Sequence, residues 1–306
     1  MTRRRPRNIA ASVRQRLLNL ARDEGEDFNY VLIRYANERL LYRLGESGFG
    51  DQFVLKGAVL FEVWSASPHR ATRDVDLLGF GEPAEEAVQS VIRTLCAMEV
   101  PPDGIRFQVG SVRTEPIRDR QAAIGIRVRL TADLDGARVS LQVDIGFDDV
   151  VTPGVVQADF PTLLDFPAPR LQAYPRETVV AEKFEALVRL GIANTRMKDF
   201  YDLWFMATTF AFRGNTLARA LAATFDCRGT PLPLEVPVGL SPEFSADAGK
   251  QAQWLAFGRR SGLQTLPTLD VVAAMLRRFL LLPVSAALKG DKTERAWPAG
   301  GDWSDA

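Results

Sequence analysis

At 306 residues the chain is long enough for one large domain or two ordinary ones. Hydrophobic residues at 46% and charged residues at 25% exclude a disordered or low-complexity protein. Lys plus Arg and Asp plus Glu number 38 each, so net charge does not single out a nucleic-acid binder. Arg3, Arg4, Arg5 and Arg7 nevertheless open the chain as either a phosphate-seeking arm or a solvated terminus. Cys96 and Cys227 lie far apart and in no metal-ligand pattern, which fits a reducing compartment best, with a single disulfide as the alternative. No apolar stretch follows the arginines, and "FLLLPV" at 279–284 is too short to span a membrane. The expectation is a soluble cytoplasmic protein with no membrane association.

Asn8 caps a helix carrying Val13, Leu17, Leu18 and Ala21. A longer helix runs from Phe28 to Leu44, buried through Val31, Leu32, Tyr35, Leu40, Leu41 and Leu44, and ended by Gly45, Gly48 and Gly50. A short apolar run, Phe53 to Leu55, leads through Gly57 into a helix over Ala58 to Ser65. "RDVDLLGF" reads as a strand, and "PAEEAVQSVIRTLCAM" as an amphipathic helix starting near Pro83. "IRFQVGSVR", "IGIRVRLTADL" and "ARVSLQVDIGF" alternate as strands, the last two joined by a turn at Asp135-Gly136. Five prolines between Val151 and Pro175 mark a crossing segment. Helical patterns follow in "PRETVVAEKFEALVRLG", "MKDFYDLWFMATTF", "TLARALAATF" and the apolar run from Leu269 to Pro283. The fold class is α+β: a mixed sheet core flanked by helices, then a mainly helical C-terminal lobe. The divisions expected are a core at 1–165, a helical lobe at 166–285, and a polar tail at 286–306 bearing Trp297 and Trp303.

Strand alternation places Asp74 and Asp76 on one face and Val75 and Leu77 on the other. It likewise sets Asp144 with Ser140 and Gln142, opposite Val143 and Ile145. If the strands are neighbours, three carboxylates approach one point and need a cation between them. Mg²⁺ suits such oxygen donors and would serve phosphoryl-type transfer, with Asp144 as base or third ligand. The competing account makes these aspartates strand-end charges paired with Arg70, Arg73 or Arg127. Lys56-Gly57 offers a tight turn and a positive charge where an anion can bind. Downstream, Lys183 edges one helical stripe, Asp199 borders the next, and Lys198 and Asp202 are i, i+4 partners. These charges either reach a triphosphate or form a snorkelling lysine and a surface pair. His69 is the single histidine, which excludes histidine dyads and His-rich zinc sites, and neither a nucleophile elbow nor a Walker loop is present.

In order along the chain, "FVLKGAVLFEVW", "RATRDVDLL", "LQVDIGF" and "AEKFEALVRLGIANTRMKDFYDLW" resemble the AbiEii/AbiGii family of nucleotidyltransferase-fold toxins, which includes the MenT toxins. The resemblance implies a DNA-polymerase-β-like nucleotidyltransferase core. It also implies transfer from a nucleoside triphosphate to a tRNA acceptor end, with Mg or Mn as cofactor and a cognate antitoxin as partner. By the same resemblance Asp74 and Asp76 are metal ligands, Asp144 is the third carboxylate, and Lys56, Gly57 and Ala58 form the phosphate loop. Lys183, Asp199 and Asp202 match the family's helical lysine and distal acidic motif as nucleotide-binding residues, Lys183 also counting as catalytic. Ala58 departs from the Gly-Ser or Gly-Gly usual in such loops, so the hydroxyl is missing. Thr72 stands where some relatives carry a modifiable hydroxyl, and a phosphate there would crowd the carboxylates with negative charge. A protein acceptor, or an idle nucleotide-binding partner of an antitoxin, are the alternatives.

Overall fold

The computed structural model describes residues 8–65, 70–117 and 125–305, so the arginines of the opening arm and His69 lie outside the described residues. The chain divides into two compact units, residues 1–148 with 156–173, and residues 149–155 with 174–306.

In the first unit α1 (Ile9–Glu24) starts at Asn8, whose side chain accepts from the Ala11 amide at 3.0 Å. Asp27 caps α2 (Phe28–Glu46) in the same way through Tyr30 N at 2.9 Å. There follow β1 (Phe53–Lys56), α3 (Leu60–Trp64), β2 (Val75–Gly79), α4 (Glu85–Ala97), β3 (Arg106–Phe107) and β4 (Arg113–Ile117). Then come β5 (Gly125–Leu134), β6 (Ala137–Gly146), β7 (Val156–Asp159) and β8 (Arg170–Ala173). The eight strands form one mixed sheet in the order β3-β5-β6-β2-β1-β8-β7, with β4 also on β5. The β5–β6 hairpin turns at Asp135-Gly136, both with positive φ, as expected of a two-residue turn that matches strand twist. β2 pairs β1 antiparallel and β6 parallel, which is why strands far apart in sequence become neighbours.

Two expectations are corrected here. "IRFQVGSVR" is not one strand: a 3₁₀ turn at Val109–Ser111 separates β3 from β4. Ser111 Oγ donates to Gln108 O and accepts from Thr131 N at 2.9 Å, replacing a ladder bond with a side-chain one. Gly45 does not end α2 but lies inside it. A Cβ there would sit 2.6 Å from the Arg170 carbonyl, so the missing side chain lets the helix close on β8. Every expected apolar residue of α2 is buried, and so are Asn37, Glu38, Arg39 and Arg43, each tied by hydrogen bonds or an ion pair to groups around the helix.

The second unit holds α5 (Arg176–Leu190), α6 (Met197–Thr209), β9 (Phe212–Arg213), α7 (Gly214–Cys227), α8 (Pro242–Ala246), α9 (Ala248–Arg260) and α10 (Leu269–Lys289). β10 (Arg295–Trp297) and β11 (Ser304–Asp305) complete it, and β9, β10 and β11 make a small sheet. α9 has no strong apolar period, so its one sequence signal is the Asp247 cap, which accepts from Lys250 N at 2.8 Å. α10 passes through Pro283 and stops only at Gly290, in left-handed conformation. By length and composition it is the one helix among those described that is apolar enough to cross a membrane. Here Leu276, Phe279 and Leu280 are fully buried within the unit, and Arg278 pairs with Asp302. The tail belongs to this core. Trp297 is fully buried and donates to Ala207 O at 2.7 Å, and Trp303 stacks on Phe279 and donates to its carbonyl at 3.0 Å.

Gly45→Ala is expected to cost about 1–3 kcal/mol through overpacking against Arg170. Urea unfolding of the full chain checks this, and an unchanged midpoint would show that the helix shifts freely on the strand.

Candidate active site

Strand register brings four charges to one level of the first unit's sheet. Lys56 on β1 lies opposite Asp76 on β2, Asp76 opposite Asp144 on β6, and Asp144 opposite Arg127 on β5. Glu115 on β4 continues the row beyond Arg127. The alternate positions Val75, Leu77, Val143, Ile145, Ile126 and Val128 are buried, so the opposite face is apolar. β2 begins only at Val75; Asp74 is exposed in the bend before it and has no place in the ladder.

Asp144 is held by Arg127 in a fork, with Nε donating to Oδ1 at 2.8 Å and Nη2 to Oδ2 at 2.7 Å. Gln142 adds a third donor at 3.3 Å. The hydrogen bond to Asp144 raises the Arg127 guanidinium above its ordinary value, and the charges of Asp144, Glu115 and Asp74 act in the same direction. Asp74 is therefore felt at the same end of the sheet. Among the described residues no three His, Cys, Asp or Glu side chains are gathered closely enough to hold a metal ion by themselves. The donor set instead suits a cation that takes one or two carboxylates and completes its shell with water and phosphate oxygens, as Mg²⁺ does.

Gly57 turns the chain beside this row. Its φ is +74°, and a Cβ built on it would lie 2.1 Å from Asp76 Oδ2. The turn and the carboxylate thus occupy space that only glycine leaves open. α3 after it has five residues, so it carries little of the dipole that a long helix aims at an anion. Lys56 and Ala58 are both half-buried, and Lys56 is the cationic side chain of this loop.

Lys183, Asp199 and Asp202 belong to the second unit and form a cluster of their own. Lys183 Nζ lies 3.0 Å from Asp199 Oδ1 and 2.8 Å from Asp202 Oδ2. Arg196 Nε reaches Asp199 Oδ2 at 2.5 Å. Asp202 is not the surface partner of Lys198 that i, i+4 spacing predicts; it is fully buried against Lys183. Burial disfavours the charged form of Asp199, yet Lys183 and Arg196 outweigh it and hold its carboxyl below the ordinary value. Arg196 is not among the site residues expected from sequence, and its place three residues before Asp199 is the one local signal of this pairing.

A family described as "Nucleotidyl transferase AbiEii toxin, Type IV TA system" matches residues 39–275, most of the chain. No curated protein matches significantly. Among solved structures, JHP933 from Helicobacter pylori is 16% identical with a TM-score of 0.48, over 82% of this chain and 90% of that one. A second H. pylori structure, provisionally described as a nucleotidyltransferase, is 16% identical with a TM-score of 0.47, over 83% and 94%.

Lys183→Met leaves two buried carboxylates without their shared cation, and an expected loss of about 3–5 kcal/mol follows. Because the folded value of Asp199 lies below its ordinary 3.8, its contribution is complete above that pH and disappears as pH falls through the folded value. Acid titration of stability should therefore steepen below pH 3.8 in the wild type, and less so in Asp199→Asn. Identical acid limbs would remove the charge pairing from the account.

Proposed function

Because the chain belongs to the AbiEii nucleotidyl transferase toxin family of type IV toxin–antitoxin systems, we propose that it transfers a nucleotide from a nucleoside triphosphate to an RNA hydroxyl, the 3′ acceptor end of a tRNA. The observation that carries this reading is the charged row at the end of the first unit's sheet, with Gly57 closed against Asp76. Asp74 and Asp76 would hold Mg²⁺ or Mn²⁺, which when bound neutralises triphosphate oxygens. Lys56 supplies positive charge to the same phosphates, and the Gly57 turn lets the backbone approach them. The acceptor hydroxyl oxygen bonds to the α-phosphorus as the bond to the bridging oxygen breaks and pyrophosphate leaves. Asp144, oriented by Arg127, takes the hydroxyl proton. Ala58 offers no side-chain donor, so phosphate contacts at that position fall to the backbone. Lys183, Asp199 and Asp202 enter this reading through the family resemblance alone. A cytoplasmic site of action, where triphosphates and tRNA meet, and restraint by a cognate antitoxin belong to the same proposal.

The test incubates the protein with each α-labelled triphosphate, total RNA and total protein, then separates the two acceptors. Label on RNA that disappears with a chelator, and in Asp74→Ala and Asp76→Asn, is the expected result. Gly57→Ala should cost at least about 100-fold, since its Cβ displaces the Asp76 carboxylate. Label on protein would redirect the acceptor, and full transfer by Asp74→Ala would remove the assigned site.

A further inference from the structure

We infer that Tyr30, Arg34 and Asn37, one stripe of α2, are positioning residues that set the backbone carrying Asp74 and tie it to the helix after Gly57. The inference rests on the assignment of Asp74 to the active site.

Asp74 precedes β2, in the bend that leads into the strand. The two residues before it are held by side chains of α2. Thr72 N donates to the Tyr30 hydroxyl at 3.3 Å, and Asn37 Nδ2 donates to Arg73 O at 2.9 Å. Positions 30, 34 and 37 recur at helical spacing, so all three project from one face of α2. Asn37 is 5% exposed, so its polar side chain is held in the interior rather than solvated. What the amide adds there is its bond to the Arg73 carbonyl.

Arg34 lies between them and extends the clamp to the other side of the site. Its Nη1 pairs with Glu26 at 2.9 Å, and its Nε faces Glu62 of α3 at 3.6 Å. The guanidinium also sits 5.7 Å from the Tyr30 ring centroid, which restrains the ring that receives Thr72 N. α3 begins three residues after Gly57, so one helical stripe addresses both the segment before Asp74 and the element after the phosphate turn. Fixing a carboxylate from outside its own strand matters for metal chemistry, because residues that orient ligands typically contribute about 10–100-fold in metal affinity or activity.

The experiment uses the full chain with Asn37→Leu and Tyr30→Phe, and Asp74→Ala as the reference. Three readouts are taken: amide hydrogen exchange at Asp74 and Val75 without metal, Mn²⁺ binding by water-proton relaxation, and label transfer to RNA. Both variants are expected to speed exchange at those two amides and to weaken Mn²⁺ binding on the order of tenfold, with transfer falling about 10–100-fold. If Asn37→Leu does not fold, Tyr30→Phe carries the test, since it removes one oxygen and keeps the ring under Arg34. Wild-type exchange and Mn²⁺ binding in Tyr30→Phe, alongside an Asp74→Ala protein that has lost both binding and transfer, overturn the inference and leave the site intact. Mn²⁺ binding and transfer untouched in Asp74→Ala would instead overturn the assignment on which it rests.

Discussion

Two carboxylates placed directly opposite each other on parallel strands repel, and the first unit is built around containing that repulsion. Asp76 and Asp144 share a register position, and Lys56 and Arg127 flank them on the outer strands. The sign order across the four strands is plus, minus, minus, plus. Arg127 meets Asp144 in a two-bond fork, which fixes the orientation of that carboxylate. The row also sets the Asp76 side of the pair directly against the Gly57 turn. The two accounts open in the sequence, strand-end charges paired with arginine and a site for metal and triphosphate, are therefore not exclusive: Arg127 does pair with Asp144, and it does so at the level where Asp76 stands.

Close backbone approach is the second constraint. At Gly57 the absent side chain is the space that Asp76 fills, and at Gly45 it is the space of a β8 carbonyl. α2 is the element that exploits the second. It lies on β6 and β8, and its buried polar residues reach outward to Arg73 O, Leu163 N, Pro167 O and Asp103. Buried polar groups persist where their partners are supplied, and here most of those partners are backbone groups of irregular segments. The helix thus orders loops as well as filling the core.

The second unit places its charges differently. Lys183, Arg196, Asp199 and Asp202 form an internal set of two cations and two anions, with both carboxylates buried. Such a set is weak in net stability yet severe when broken, because Lys183 and both carboxylates are desolvated for one another, while Arg196 stays partly exposed. It joins α5 to α6 by charge, as Trp297 joins the tail to α6 through the Ala207 carbonyl.

Much of this was legible in the residues. Helix starts at Asn8 and the hairpin turn at Asp135-Gly136 follow from local chemistry, and the faces of β2, β5 and β6 follow from alternation, because a side chain's direction is set by its own backbone. The family was legible too, since its motifs are short runs kept in order. Less local features were not. In sequence Gly45 has the look of a helix stop, whereas its role is set by a carbonyl from residue 170; Asp202 has the spacing of a surface partner of Lys198, whereas burial assigns it to Lys183. Alternation can say that Asp76 and Asp144 each point to a polar face; it cannot say that they are opposite one another. That depends on the register between strands separated by many residues, which hydrogen-bonded pairing and the packing of the whole sheet establish together.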